Sequence, residues 1–253
     1  MCGRYVITSP ADAVRALFNY DERPNFPPRY NVAPTQPIPI VRLVDDKRSF
    51  APVRWGFLPA WVKNPKTFSL LVNARGESVL DKPSFRNAMR RRRCLIPGDG
   101  FYEWRAARAG APKRPYFVRP KSGGPIAFAG LWETWIGPNG EEIDTAAIVT
   151  TQANRTLAVV HERMPVVVEP QAFDLWLDCR NVDATTAAAL IAPAPEDLFE
   201  CYEISPAVNR VANDSAQLIE PAPAVSDRDG APAANAPAGR SKRKKANDQP
   251  SLF

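Results

Sequence analysis

Short β-type runs, each bounded by turn-forming residues, fill most of the N-terminal two thirds of the chain and constrain its fold more than any other feature. Such runs favour strands, and only a few helical patterns separate them. The sequence therefore predicts a single α+β domain with a curled, barrel-like, mainly antiparallel sheet flanked by helices. The strand-type runs are 38–44, 50–55, 94–96, 100–105, 115–119, 126–132, 143–151 and 164–168.

Four helical patterns and one long loop complete the predicted domain. The first helix would begin at Ser9, with Ser9 as its cap and Pro10 in the first helical position. The loop is predicted over 23–39, where prolines recur. The other helical patterns cover 81–92, 171–177 and 183–191.

The composition changes at Pro221. Residues 221–253 are mostly Ala, Pro, Ser, Asn and Asp, with a basic cluster at 242–245. This stretch cannot bury enough apolar surface to fold alone. We therefore expect a folded domain over 2–220 and a disordered tail over 221–253, which as a flexible coil would reach about 30 Å.

The composition excludes a wholly disordered, a collagen-like and a coiled-coil chain. Hydrophobic residues make up 45% and charged residues 24% of the 253 residues, which is ordinary for a globular chain. No window approaches the ~18 apolar residues of a membrane span, and no signal pattern precedes the domain, so we expect a cytoplasmic protein without a membrane partner. We also expect a monomer. The tail supplies half of the net charge of +6, so net charge alone argues weakly for a nucleic-acid partner.

The cysteines and the histidine do not form a metal-binding pattern. The chain has four cysteines and one histidine, His161, and no two cysteines are close in sequence. A zinc site needs a fuller ligand set, so we expect neither a metal nor a cofactor. Cys94, Cys179 and Cys201 have apolar neighbours in sequence and are predicted to be buried as small hydrophobes.

Cys2 could take part in a reaction that the other cysteines cannot, because it follows Met1 directly. If Met1 is removed, the chain begins with an amine and a thiol on adjacent carbons. An α-amine titrates near ~7.8 and a lysine near ~10.4, so at neutral pH the α-amine has about 400 times more free base. Such an amine can attack an aldehyde to give an imine, and the thiol can then close a thiazolidine ring. The alternative is that cysteine at this position has no chemical role.

Three further segments hold polar side chains suited to catalysis or binding. Asn73 and Arg75 are two residues apart and share one face of an extended segment. Glu103 stands among aromatic residues, where desolvation would raise its pKa towards acid–base use; alternatively it is a surface partner of Arg105. His161 is the only imidazole, and its alternative is a purely structural role.

Together these segments resemble the SOS-response-associated peptidase (SRAP) family, the abasic-site processing proteins. The resemblance covers about residues 2–220 and rests on six motifs in the same order. They are Met1-Cys2-Gly3-Arg4-Tyr5, Tyr30-Asn31-Val32-Ala33-Pro34-Thr35, Trp55-Gly56-Phe57-Leu58-Pro59-Ala60-Trp61, Asn73-Ala74-Arg75-Gly76-Glu77, Gly100-Phe101-Tyr102-Glu103-Trp104 and His161-Glu162-Arg163-Met164-Pro165.

The resemblance implies a protein that senses abasic sites in single-stranded DNA and shields them in the DNA damage response, and that is therefore associated with the bacterial nucleoid. An abasic deoxyribose opens to an aldehyde, with which Cys2 would form a thiazolidine cross-link. Asn73 would orient Cys2 and the sugar, Glu103 would shuttle protons, and His161 would protonate the ring oxygen of the sugar.

The resemblance also implies a set of DNA contacts. The arginines would contact phosphates, the loop at 31–34 would shape the strand path, and Trp61 would stack on bases. The implied contacts are Arg4, Arg75 and Arg163 for phosphates, Asn31 and Pro34 in the loop, and Trp61. Val62 stands where some family members carry a second aromatic residue, which weakens the expected stacking. The arginines at 90–93 fit either a phosphate-binding surface or a solvated helix end.

Two other functions use the same residues. A cysteine autopeptidase would activate the Cys2 thiol through Glu103 or His161 and remove Met1. A non-covalent module would bind single-stranded DNA without any role for Cys2. The aldehyde chemistry also leaves room for lyase activity, in which the strand is cleaved by β-elimination.

The tail ends in a short peptide with a second resemblance. Gln249-Pro250-Ser251-Leu252-Phe253 resembles the Gln-x-x-Leu-Phe peptide by which bacterial proteins bind the hydrophobic cleft of the DNA sliding clamp. Gln249, Leu252 and Phe253 are the residues of the pattern. A flexible tether precedes them, and Leu252 and Phe253 would otherwise be exposed apolar side chains on a disordered tail.

Replacing both Leu252→Ala and Phe253→Ala should abolish capture of the sliding clamp in a pull-down, because these two side chains would fill the apolar cleft. DNA cross-linking by the same variant should be unchanged. Ser251→Ala, at a position that the pattern leaves free, is the control. Clamp capture that survives the double substitution contradicts the prediction.

Overall fold

The computed structural model describes residues 2–106 and 112–223, which contain twelve strands and five short α-helices. The strands are β1 (Tyr5–Ile7), β2 (Arg29–Val32), β3 (Pro37–Val44), β4 (Lys47–Trp55), β5 (Asn73–Arg75), β6 (Arg93–Gly98), β7 (Gly100–Arg105), β8 (Arg114–Pro120), β9 (Ile126–Ile136), β10 (Glu142–Gln152), β11 (Arg163–Pro165) and β12 (Phe199–Glu203). The helices are α1 (Ala11–Phe18), α2 (Arg86–Arg91), α3 (Arg155–Ala158), α4 (Phe173–Leu177) and α5 (Ala184–Ala188). Most of the predicted tail, including Gln249, Leu252 and Phe253, lies outside the described residues.

The strands form two sheets. A five-stranded antiparallel sheet has the order β12-β8-β7-β1-β2. In the second sheet β10, β4, β3, β6 and β9 follow one another, and β9 pairs back onto β10, which closes a five-stranded barrel. β5 and β11 extend this sheet by pairing with β10. Its only parallel pairs among the described residues are β10 with β4 and with β5, so the predicted barrel-like, mainly antiparallel sheet is confirmed.

The second sheet is covered on both faces, which explains the continuous apolar runs in its strands. One face packs against the five-stranded sheet through side chains such as Tyr5, Trp55 and Phe128. The other face packs against the helices, including Met89 of α2 and Trp176 of α4. Each large apolar side chain buried in this way contributes roughly 1.5–3 kcal/mol. None of the helices in the described residues is long and apolar enough to cross a membrane.

Several local predictions need correction. The predicted loop at 23–39 contains β2 and the start of β3, and the short strands β1, β5 and β12 were not predicted. Ser9 does not cap α1: its hydroxyl donates to Asp99, and Pro10 is the N-cap residue. The helices predicted at 81–92 and 183–191 shorten to α2 and α5, and that at 171–177 to α4, which follows a 3₁₀ turn at Pro170–Ala172. Cys94 is buried as predicted, whereas Cys179 and Cys201 are half-buried.

Arg93 does not belong to a DNA-binding surface or to a solvated helix end. Its side chain is 1% exposed at the start of β6. The guanidinium donates to the carbonyl oxygens of Met89, Trp176, Asp178 and Val182 at 2.5–2.9 Å. It therefore joins α2, the end of α4 and the segment that follows α4 to the start of β6.

Replacing Arg93→Leu should lower the free energy of unfolding by about 3 kcal/mol, because several buried carbonyl groups lose their donor. Arg91→Leu, on the exposed side of the same arginine run, should change it by no more than about 0.5 kcal/mol. Urea unfolding of both variants measures the difference. Equal effects would show that Arg93 has no special structural role.

Candidate active site

Strand β10 positions three of the predicted site residues, Asn73, Arg75 and Arg163, through its two neighbouring strands. Its C-terminal half pairs on one edge with β5, so that Asn73 lies opposite Ile148 and Arg75 opposite Thr150. On its other edge it pairs with β11, so that Arg163 lies opposite Gln152. Because both neighbouring strands are fixed by backbone ladders, their side chains have defined positions before any ligand binds.

Cys2 lies buried just before β1, with 1% of its surface exposed. The side-chain amide of Asn73 donates to the Cys2 carbonyl oxygen at 2.8 Å. The other amide atom of Asn73, Oδ1, is buried and lacks a hydrogen-bond partner within the described ranges. Burial, with a smaller contribution from the negative charge of Glu103, raises the pKa of the Cys2 thiol well above its usual range.

Glu103 lies in β7 opposite Tyr116 of β8, and its side chain is only 5% exposed. Burial raises the pKa of this carboxyl to about 7, since the charged form loses its hydration. A group with this pKa is present in both protonation states near neutral pH. It can therefore accept and release a proton, which is what acid–base catalysis needs.

His161 lies just before β11 and faces Glu103, with its Nε2 atom 4.0 Å from Glu103 Oε2. Its Nδ1 atom accepts a hydrogen bond from the backbone N–H of Arg163 at 3.0 Å. The neutral imidazole therefore carries its proton on Nε2, the atom directed towards the carboxyl group. Burial lowers the pKa of His161 below its usual value.

The structure thus brings together all four residues predicted to be catalytic. Cys2, Asn73, Glu103 and His161 come from the N-terminus, β5, β7 and the segment before β11. In the part of the chain that the structure describes, no group of three or more His, Cys, Asp or Glu residues could hold a metal ion.

The residues predicted to bind DNA fall into two structural groups. The side chains of the first group make hydrogen bonds to other residues of the protein. Arg4 donates to Asn31 Oδ1 at 2.7 Å and to the Val208 carbonyl at 2.9 Å, and Asn31 donates to the Asn213 carbonyl at 2.8 Å. Arg4 and Asn31 therefore fix the segment after β12 against β1 and β2.

Arg163 is also engaged by protein groups. Its guanidinium forms a two-point ion pair with Glu77 at 3.0 and 2.9 Å and donates to the Thr150 carbonyl at 2.8 Å. A phosphate contact by Arg163 would have to displace the Glu77 carboxylate. Glu77 and Thr150 were not singled out from the sequence, although Glu77 closes the Asn73–Glu77 motif.

The second group is accessible. Arg75 is exposed and borders an open cavity of about 400 Å³, whose other lining residues are Gln152, Ala153, Ala158, Glu162 and Arg163. Trp61 is 57% exposed and packs edge-on against Phe68. Pro34 is half-buried in the turn before Thr35, whose φ is +74°.

The loop that carries Trp61 is anchored by the next residue, Val62. Val62 is 7% exposed and packs with Leu58 and Trp135. The indole N–H of Trp135 donates to the Val62 carbonyl at 2.6 Å. The position after Trp61 therefore supports the loop from inside and leaves a single exposed ring.

Comparison with known proteins identifies the family. The sequence model of the SOS response associated peptidase (SRAP) family matches residues 1–211. The chain belongs to the SRAP family. This SRAP chain is 37% identical to "Abasic site processing protein YoqW" of Bacillus subtilis, over 87% of this chain and 99% of that protein. It is 28% identical to "Abasic site processing protein HMCES" of Mus musculus, over 88% of this chain and 76% of that protein.

A solved structure has the same fold as this SRAP domain. A crystal structure of a protein from Bacteroides thetaiotaomicron superposes with a TM-score of 0.76 at 24% identity, and covers 87% of this chain and 100% of that one. At this identity the match establishes the shared architecture.

The raised pKa of Glu103 predicts a stability that depends on pH. Below about pH 4.5 the carboxyl is protonated in both the folded and the unfolded chain, so burial costs nothing. Between about 4.5 and 7 the unfolded chain loses this proton first, and stability falls by up to about 3 kcal/mol.

Glu103→Gln removes this titration. Its unfolding free energy relative to wild type should therefore rise by about 3 kcal/mol between pH 4 and pH 8. Urea unfolding of both proteins across this range measures the difference, and any constant effect of the amide cancels. A difference that does not change with pH would rule out a raised pKa.

Proposed function

We propose that this chain processes abasic sites in single-stranded DNA by covalent capture through the amine and thiol of Cys2. One observation carries the proposal: Asn73 holds the Cys2 carbonyl at 2.8 Å while Glu103 and His161 face each other beside it. The relatives named abasic site processing proteins support the same substrate.

The first step would be opening of the abasic sugar. The imidazole of His161 carries its proton on Nε2, and this proton would pass to the ring oxygen of the deoxyribose while Glu103 takes the proton of the C1 hydroxyl group, so that the ring C–O bond breaks and the aldehyde forms. Burial lowers the pKa of His161, so the donor is the neutral imidazole. Glu103 would return a proton to the imidazole.

The second step would be formation of the imine. With Met1 removed, the Cys2 amine attacks the aldehyde carbon, and the carbinolamine loses water to form a C=N bond. Glu103 would take the proton from the amine and deliver it to the leaving hydroxyl. A carboxyl with a pKa of about 7 can do both near neutral pH.

The third step would be ring closure. The Cys2 thiol adds to the imine carbon, its proton moves to the nitrogen, and a thiazolidine results with the loss of one water overall. Asn73 would hold Cys2 by its carbonyl and offer its buried Oδ1 atom to a donor group of the sugar.

The thiol environment favours this order of events over a thiol peptidase. A cysteine peptidase needs a thiolate, and its site usually lowers the thiol pKa. Burial and the charge of Glu103 raise the pKa of Cys2 instead. The amine is therefore the better first nucleophile, and the thiol reacts only after the imine has formed.

The DNA would pass along the accessible residues near the site. Arg75 is exposed beside the cavity and would contact a phosphate directly, while the exposed ring of Trp61 would stack on a base. Arg4, Asn31 and Pro34 would shape the strand path through the loops that they hold. Arg163 would add positive charge at the rim, since Glu77 holds its guanidinium.

Wild-type protein should form an adduct that resists heat and detergent with an oligonucleotide carrying one abasic site. Its mass should equal protein without Met1 plus oligonucleotide minus one water. An oligonucleotide with a tetrahydrofuran abasic analogue, which cannot open to an aldehyde, should form none. Denaturing gels and mass spectrometry measure both results.

Cys2→Ala should lose this stable adduct, whereas Cys201→Ser, which changes a half-buried cysteine of β12, should keep it. Insertion of a glutamate between Met1 and Cys2 should also abolish the adduct, because it removes the vicinal amine and thiol from the N-terminus. A stable adduct in Cys2→Ala would reject the mechanism. Binding to the tetrahydrofuran oligonucleotide without any adduct to the abasic one would favour the non-covalent module.

A further inference from the structure

A backbone group helps to set the orientation of His161. The ring is held at Nδ1 by the N–H of Arg163, and this bond decides which nitrogen carries the proton opposite Glu103. Any shift of the backbone at Arg163 would therefore alter both the direction and the tautomer of the imidazole.

The side chain of Arg163 is in turn held by two residues, Glu77 and Thr150. The guanidinium side chain is 10% exposed. It makes a two-point pair with the Glu77 carboxylate and donates to both the carbonyl and the hydroxyl oxygen of Thr150. A bidentate pair of this kind fixes direction as well as distance.

The local chain is built to bring Glu77 to this position. β5 ends at Arg75, and the next residues form a 3₁₀ turn at Gly76–Ser78 directly against β10. A Cβ atom at position 76 would collide with the side chain of Ile191 and approach the Thr150 carbonyl to 3.2 Å. Glycine therefore allows the close approach that places the Glu77 carboxylate opposite Arg163.

We infer that Glu77 is a positioning residue for the reaction proposed above, and that it acts on His161 through Arg163. Without the carboxylate, a mostly buried guanidinium keeps only the oxygens of Thr150 and is drawn towards water. The backbone N–H of Arg163 then moves, and the Nδ1 atom of His161 no longer accepts a hydrogen bond from a donor at a fixed position. Misplacement of a catalytic group by about 1 Å can cost up to ~10²-fold in rate.

The chain allows a direct test because His161 is its only histidine. Nitrogen-15 NMR of the imidazole should show the Nε2–H tautomer in wild type and a mixture of both tautomers in Glu77→Gln. Glu77 is about half exposed, so the amide variant should fold, which thermal unfolding checks. Glu77→Asp keeps the charge and should restore most of the wild-type tautomer ratio.

The rate of cross-linking at saturating abasic oligonucleotide should fall about tenfold in Glu77→Gln. The oligonucleotide concentration for half-maximal rate should change by less than about twofold, because the substitution misplaces an acid rather than a DNA contact. Asp174→Asn is the matched control. It removes the exposed partner of another mostly buried arginine, Arg48, which also donates to a backbone carbonyl.

The outcomes separate this inference from the proposed function. An unchanged tautomer in Glu77→Gln, or an unchanged maximal rate, overturns the positioning role. Tighter binding of undamaged single-stranded DNA with an unchanged tautomer would also overturn it, since Glu77 would then only be masking Arg163 from phosphates. If wild type forms no adduct, the proposed function fails, while the tautomer comparison still decides whether Glu77 positions His161.

Discussion

The pairing of β10 along both of its edges is the constraint on which the rest of the structure depends. One edge holds β4 and then β5, and the other holds β9 and then β11. The first half of the strand closes the barrel, and the second half carries Asn73, Arg75 and Arg163 on its neighbours. The same backbone hydrogen bonds that stabilise the barrel therefore also set the geometry of the site.

A single physical cause, removal from water, explains the altered acidity of three site residues. Burial raises the pKa of Cys2 and of Glu103 and lowers that of His161. In each case burial stabilises the neutral form of the side chain relative to its charged form. The candidate site thus holds a protonated thiol, a carboxyl group that titrates near neutral pH and an uncharged imidazole, a combination suited to condensation chemistry and poorly suited to a thiolate mechanism.

The fold class could be predicted from the sequence because it depends on local signals. Runs of β-forming residues bounded by turn residues indicated the long strands, and ordered motifs singled out Cys2, Asn73, Glu103 and His161, which the fold places near one another. The short strands β1, β2, β5 and β12 had too few residues to show a period. Their pairing depends on partners that are distant in sequence, such as Phe101 opposite Tyr5.

The interactions of individual arginines could not be predicted in this way. Arg4, Arg93 and Arg163 looked like surface charges in sequence, yet each donates to protein oxygens in the fold. What distinguishes them from Arg75 is which carbonyl and carboxylate oxygens lie nearby. Apart from Met89, which precedes Arg93 by four residues, these oxygens come from segments more than ten residues away, including β10, α4 and the residues after β12.

The bonds from Arg4 to the carbonyl oxygens of Val208 and Asn209 join opposite ends of the folded unit. Arg4 is two residues from Cys2, so the reactive end of the chain is fastened by its far end. Loss of the segment at 206–214 would remove these acceptors from Arg4 and would also remove the carbonyl oxygens to which the Asn31 amide donates. The position of the first residues of the domain thus depends on residues that lie 204 and 205 positions after Arg4.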